Sequence, residues 1–293
     1  MQYTAHDDFV APARIHAKIW QLVVGFLLIL WIYAMGIGLV LLGVLVVSGA
    51  EGVQRWFAEM MEATGPTGTL LLLATFIGMA AGPMIVAKLL HSRPVGSLFG
   101  PIPRTMRHFL IAMLICALVF SLTFLIPTNI APQPGLAPGL WLSFLPLALV
   151  GVFIQTGAEE ILFRGYLQQQ LAARFRSPIA WMIVPSVLFA LAHYSPDMMG
   201  GNAWLIVLAV GVFALIAADL TALTGSIGAA WGFHFANNVV AILVVSLEGP
   251  LSGLALYTSP MSAADPTLRP LIFLDIGTTL VTWLVIRTVL RRV

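Results

Sequence analysis

Apolar residues in this chain come in long blocks, without the alternation of a half-buried strand or the single stripe of a soluble helix. Eight blocks come close to the roughly 20 residues that a bilayer core demands of a helix: 19–47, 68–90, 107–126, 139–160, 178–194, 203–222, 226–247 and 270–290. Proline and glycine punctuate the gaps, as in "IPTNIAPQPGLAPG" (126–139) and "SPDMMGGN" (195–202). After the fourth block the chain continues "EEILFRGYLQQQLAARF". Leu162, Tyr166, Leu167 and Leu171 recur there at helical spacing, so the helix is expected to run on. No internal repeat or low-complexity tract interrupts the pattern.

Composition turns the blocks into a class. Of the 293 residues, 60% are hydrophobic and 9% are charged, against about 25% charged in a soluble domain. Such a chain cannot cover itself with polar surface, so an all-α polytopic membrane protein is expected. The first block is far longer than the apolar region of a signal peptide, about 7–15 residues, although "SGA" at 48–50 imitates a cleavage site. A net charge of +2 gives no ground for a nucleic-acid partner. The single cysteine, Cys116, permits no internal disulfide and is expected as a small core residue.

Basic residues collect on the cytoplasmic side of a membrane protein. Eight spans with a cytoplasmic N-terminus place Arg14, Lys18, Lys88, Arg93, Arg104, Arg107, Arg164, Arg174, Arg176, Arg287, Arg291 and Arg292 inside. Only Arg55 and Arg269 fall outside, so twelve of the 14 basic residues agree with eight spans and two cytoplasmic termini. A bacterial inner membrane is the expected location. The acidic stretch 51–62 falls outside, and the terminal "RTVLRRV" is expected to hold the topology against anionic lipid. Trp20, Trp141, Trp204 and Trp231 lie near block ends, where interfacial anchors are expected.

Charges within spans are costly, about 2.5–3.5 kcal/mol at a helix centre, and mark functional sites by default. Here they are Glu159, Glu160 and Arg164 at the end of the fourth block, His193 at the end of the fifth, and His234, Asn237 and Asn238 in the seventh. Asp219 and Asp275 lie in the sixth and eighth; a cap and a residue near the outer interface are the plainer readings for these two. Glu160 and Arg164 are four apart on one helix face and can pair. Glu159 is rotated by about 100° and is left for another role. The turn "RFRSP" (174–178) centres near Arg176, seventeen residues from both Glu159 and His193, so antiparallel arms bring these two to one depth. His234 and Asn238 again share a face. Taken alone, an ion pair at the membrane boundary and polar glue between helices account for the separate groups. Together, a carboxylate, two imidazoles and an amide suffice to hydrolyse a peptide bond. Glu159 would take a proton from water, His193 would orient that water or pass the proton on, and His234 and Asn238 would donate to the oxyanion.

Three motifs carry a family resemblance. "EEILFR" followed by "GYL" resembles the EExxxR motif of the CAAX-protease and bacteriocin-processing membrane proteins. "FALAH" (189–193) resembles their FxxxH motif, and "HFANN" (234–238) their HxxxN motif, in the same order. The family includes the Rce1-type CAAX prenyl endopeptidase. The resemblance implies eight membrane helices around a cavity open to the cytoplasm. It also implies a glutamate-type endopeptidase without a metal cofactor, acting on a peptide or protein substrate at the bilayer. It implies catalytic roles for Glu159, His193, His234 and Asn238, structural support from Glu160 and Arg164, and Phe189 packed beside His193. The chain then divides into helices without a motif (1–138), a catalytic core (139–247), and an outer loop with the last helix (248–293). Three other readings use the same residues. Glu159, His193 and His234 could hold zinc, although no HExxH is present. Buried carboxylates could relay protons in a transporter. A scaffold or immunity protein could use the fold without turnover.

Overall fold

The structure is a computed structural model and describes residues 3–123, 125, 126 and 131–292. Phe124, assigned above to the third span, 127–130 of the following linker and Val293 of the basic tail lie outside the described residues. The described residues are mainly helical, with one small three-stranded sheet.

A short helix α1 (Thr4–Val10) precedes the long α2 (Ile19–Glu62), α3 (Pro66–Leu89) and α4 (Ile102–Thr123). Helix α5 (Pro138–Glu160) passes through a π-helical segment, Ile161–Gln168, into α6 (Gln169–Arg174). A second π segment, Ile179–Ile183, opens α7 (Val184–Leu191), and the short α8 (Pro196–Met199) leads to α9 (Ala203–Thr224). Helix α10 (Gly228–Val239) ends in a π turn, Val240–Val244, and α11 (Arg269–Leu290) closes the chain. Strands β1 (Gln133–Pro134), β2 (Val245–Leu247) and β3 (Tyr257–Ser259) form a small sheet in the order β1-β3-β2.

Each of the eight expected spans contains a helix among the described residues, but the seventh ends at Val244, where Val245–Leu247 turn into β2, and the fifth ends at Leu191. Six are long and apolar enough to cross a bilayer: Ile19–Glu62, Pro66–Leu89, Val95–Thr123, Pro138–Arg174, Pro196–Thr224 and Pro266–Leu290. The other two are shorter apolar helices, Ile179–Leu191 and Gly228–Val244. The chain is therefore an all-α polytopic integral membrane protein. Helix α2 does not stop at Val47. It continues to Glu62 across a kink at Gly49, whose φ of 71° departs from helical geometry, so the acidic stretch extends the first span.

The fourth span is the axis of the packing. Residues 155–170 are all buried, where a spanning helix at the protein's edge would show one lipid face. The continuation past Glu160 is as expected, but Leu162, Tyr166 and Leu167 belong to a segment buried all round instead of to a stripe. Around it lie Ile29, Val86, Phe109, Phe189 and Trp231, from α2, α3, α4, α7 and α10. Trp231 is thus no interfacial anchor: it is 8% exposed and its ring packs against Phe109 and Phe153. Trp20 and Trp204, in contrast, are exposed. Cys116 is fully buried in the α4 core.

Two close approaches fix α10. A side chain at Gly228 would lie 2.1 Å from the Thr105 carbonyl, and one at Gly232 would lie 2.1 Å from the Phe109 carbonyl, so α4 and α10 meet backbone to backbone. This is the small-residue packing that membrane helices use in place of a hydrophobic driving force.

Three of the twelve basic residues counted as topological signals are buried in the protein, and protein contacts explain their placement. Arg164 lies in the centre. Arg93 is 2% exposed and donates to Ser97 Oγ (3.2 Å) and to Gln169 Oε1. Burial lowers its guanidinium to about 10, which still leaves it charged. Arg287 donates through Nε (2.7 Å) and Nη2 (3.0 Å) to the two carboxylate oxygens of Asp219, which also accepts from Trp283 Nε1 (2.8 Å) and the Tyr3 hydroxyl (2.7 Å). Asp219 is therefore a buried clasp that ties α9 to α11 and to the N-terminal segment.

Candidate active site

The EExxxR motif sits where α5 changes from α to π winding. π segments are rare and frequent at functional sites, since they re-aim side chains within a continuous helix. Arg164 Nη1 donates to Glu160 Oε1 (3.0 Å), as the four-residue spacing requires, and Nη2 donates to the Ala214 carbonyl of α9 (3.1 Å). Glu160 is fully buried and Arg164 is 2% exposed.

His234 joins this pair from α10. Its Nδ1 lies 2.8 Å from Glu160 Oε1, and its Nε2 lies 3.4 Å from Glu159 Oε2. A carboxylate only accepts, so Nδ1 carries a proton and donates to Glu160. The second nitrogen then points at Glu159. The glutamate expected to be neutralised by Arg164 thus has a second partner, and it sets the orientation of His234. Helical spacing reveals a partner four residues away on one helix but not one on another helix, so the sequence did not expose this contact. Glu159 is 8% exposed, and its Oε2 has no hydrogen-bond partner among the described residues.

His193 is half-buried in the turn just beyond α7. Its Nδ1 lies 2.8 Å from its own helix's Phe189 carbonyl. Nδ1 is therefore the donor, and Nε2 keeps its lone pair. No hydrogen bond joins His193 to Glu159 or His234 among the described residues. Phe189 lies between the motifs: its ring is 4.8 Å from that of His193 and 6.1 Å from that of His234, and the Arg164 guanidinium stands over it at 4.9 Å. Phe163 and Phe189, each thirteen residues from Arg176, meet edge to face at 4.9 Å. That contact shows the two arms packed side by side about the turn near Arg176.

Asn238 is drawn elsewhere than expected. Its Nδ2 donates to Gln155 Oε1 (2.8 Å), and its Oδ1 accepts from Asn237 (3.1 Å). Gln155 precedes Glu159 by four residues, so Asn238 lies one helical turn from the carboxylate and does not share a target with His234. The structure therefore brings Glu159, Glu160, Arg164 and His234 into one buried cluster, with Phe189 between it and His193 and with Gln155 between it and Asn238. Asp275 lies apart, in a groove of about 280 Å³ that Asn237 also lines. No three His, Cys, Asp or Glu side chains are placed to hold a metal ion among the described residues.

Fold and cluster together define a polytopic helical membrane protein with a buried, ionisable centre contributed by several spans. Residues 140–240 match the family model of the type II CAAX prenyl endopeptidases, Rce1-like. The matched stretch holds all three motifs. The family is one of proteases, which supports an enzyme acting on peptides in a lipid setting. The chain is also 22% identical over 258 residues to the uncharacterized protein YyaK of Bacillus subtilis (strain 168), an alignment that covers 84% of this chain and 85% of that protein. No solved structure matches the chain.

Proposed function

We propose that the protein is a membrane-embedded endopeptidase that hydrolyses a peptide bond with water activated by Glu159. The observation that carries this reading is the imidazole of His234 held between two carboxylates, Nδ1 on Glu160 and Nε2 facing Glu159. Because Nδ1 already donates to Glu160, His234 can donate through Nε2 only as an imidazolium. Glu160 accepts from both Nδ1 of His234 and Nη1 of Arg164, so it holds the ring in this orientation. Glu159 is then the free carboxylate of the cluster.

In the reaction, water adds to the scissile carbonyl and its proton passes to Glu159. Charge develops on the carbonyl oxygen, and the Nε2–H of His234 donates to it. The C–N bond then breaks, and the proton held on Glu159 passes to the leaving amine. His193, with its Nε2 lone pair free, accepts from the attacking water and orients it. Asn238 supplies a second donor once a peptide displaces Gln155 from its amide. One such donor contributes about 10²–10³ in rate. Glu160, Arg164 and Phe189 position these groups. The mechanism needs no cofactor. The substrate is a peptide or protein segment that enters from the bilayer or its surface. Both termini face the cytoplasm of a bacterial cell, and reporter fusions at each end test this placement.

Glu159→Gln is nearly isosteric and removes the base. Membrane proteomes from cells carrying the wild type and this variant are compared for new peptide termini. Termini present with the wild type and absent with Glu159→Gln are expected, at equal protein levels. The same termini in both strains would overturn the mechanism.

A further inference from the structure

A cavity of about 610 Å³ opens away from the cluster described above, at the start of α4. Arg104, Arg107 and His108 of α4 line it, with Asp8 of α1, Thr224 at the end of α9 and Leu290 at the end of α11. Arg104 and Arg107 are exposed, and neither has a carboxylate within ion-pair distance among the described residues. Both lie in the first turns of a 22-residue helix. Cations are unfavourable there, because the helix end already carries partial positive charge. The same end is a ready seat for an anion.

The second observation is His108. It is 9% exposed, it lines the cavity, and its buried Nδ1 has no hydrogen-bond partner. A buried polar atom without a partner is costly, and this one belongs to a side chain that lines the same cavity as both guanidiniums. Asp8 faces the same cavity from α1 and offsets one of the two charges, leaving the site net cationic. The α4 surface below completes the picture. Met106, Leu110, Leu114, Leu118 and Leu122 recur every four residues and are 43–64% exposed, a continuous apolar stripe that leads away from the arginines along the span. A free anion has no use for such a stripe, whereas an acyl chain does.

We propose that this cavity binds the phosphate headgroup of an anionic phospholipid, with Arg104 and Arg107 on the phosphate, His108 donating from below, and the acyl chains along the α4 stripe. Basic pockets between helices at a membrane face bind such headgroups. The bound lipid neutralises the start of α4, the helix whose Thr105 and Phe109 carbonyls lie against Gly228 and Gly232 of α10. It therefore stabilises the helix pair that carries His234. The proposal does not depend on the proteolytic reading.

The test uses the full chain, delipidated in neutral detergent and titrated with dioctanoyl phosphatidylglycerol, dioctanoyl phosphatidylcholine or inorganic phosphate. Bound lipid is read by native mass spectrometry and Tm by fluorescence. Phosphatidylglycerol is expected to bind one per chain and raise Tm. Arg104→Gln/Arg107→Gln should weaken it on the order of thirtyfold, and Arg104→Lys/Arg107→Lys should restore most of it. Lys88→Gln/Arg174→Gln removes two exposed charges outside the cavity and should change nothing. If the double glutamine variant does not fold, Arg107→Gln alone should show a loss of about fivefold. Equal binding of phosphatidylcholine, normal binding by the glutamine variant, or an equal loss in the Lys88 and Arg174 control would each overturn the proposal. A Tm rise with inorganic phosphate but not with phosphatidylglycerol would overturn the lipid as its source.

Discussion

Glu160 and Arg164 offer a test that needs no substrate. Glu160 is fully buried, Arg164 is 2% exposed and His234 is 4% exposed, so no water replaces a lost partner. Removing one member of a buried pair costs about 3–5 kcal/mol, because the remaining charge is stranded. In Glu160→Gln the amide oxygen still accepts from one of the two donors, so the cost is expected at the low end, about 3 kcal/mol. Arg164→Met should be worse. It leaves two adjacent carboxylates with His234 as their one side-chain partner among the described residues, and it also abandons the Ala214 carbonyl. At about 2–4 °C per kcal/mol for a chain of this size or slightly smaller, Glu160→Gln should lower Tm by roughly 6–12 °C, and Arg164→Met by more. Glu160→Gln/Arg164→Met removes the stranded charge, so its loss should be smaller than the sum by about 2 kcal/mol or more. Thermal unfolding in detergent, followed by the fluorescence of the eight tryptophans, measures all three variants. Additive single effects, or single variants within about 1 kcal/mol of the wild type, would refute the view that Arg164 neutralises Glu160.

Gly232→Ala puts a methyl group 2.1 Å from the Phe109 carbonyl, a backbone atom that cannot step aside. Overpacking of about 1–3 kcal/mol should appear as a lower Tm, and cleavage should fall further because His234 is two residues away. Exhaustive chelation should leave cleavage unchanged, and a loss restored by added zinc would instead favour a metal held by Glu159, His193 and His234. His6 is 5% exposed against Trp181 and Gln168, and burial lowers its pKa from 6.5 to about 4, with Asp7 and Arg14 acting in opposite directions. Below pH 6.5 the undocked segment takes up a proton that the docked one refuses, so docking of α1 weakens as pH falls toward 4, by about 3 kcal/mol in all. Proteolytic clipping of 3–16 should therefore rise across that window, and His6→Phe should flatten the dependence.

The spans were legible because burial in lipid is written in composition. A block of twenty apolar residues has few other fates, and each of the eight blocks contains an apolar helix among the described residues. The π turns were not legible, since Ile161–Gln168 and Ile179–Ile183 use the same residue types as an α-helix and differ only in hydrogen-bond register. The Glu160–Arg164 contact followed from spacing on one helix. The Glu160–His234 contact depends on how α10 is rotated against α5. That rotation is set by Gly228, Gly232 and the Trp231 indole, which donates to the Phe153 carbonyl (3.2 Å). One sequence carries no sign of it. Gln168, Gln169 and Gln170 were passed over for the opposite reason. Three glutamines resemble a solvated face, yet they are buried, with Gln168 and Gln169 bonded to the Ala218 and Ser97 carbonyls.

The cluster's charge count links stability to chemistry. Two carboxylates and one guanidinium leave one negative charge over, and an apolar interior tolerates that poorly. One further proton closes the balance, and the geometry offers it two seats: Nε2 of His234 or the facing oxygen of Glu159, 3.4 Å apart. With the proton on His234, Glu159 is a base and His234 is a donor, which is the arrangement hydrolysis needs. With the proton on Glu159, neither group is in its working form. Glu160 holds the ring that carries the first seat, through its 2.8 Å contact with Nδ1. Glu160→Gln should therefore lower cleavage by more than its loss of stability explains, whereas a residue that only held the fold would lower the two together.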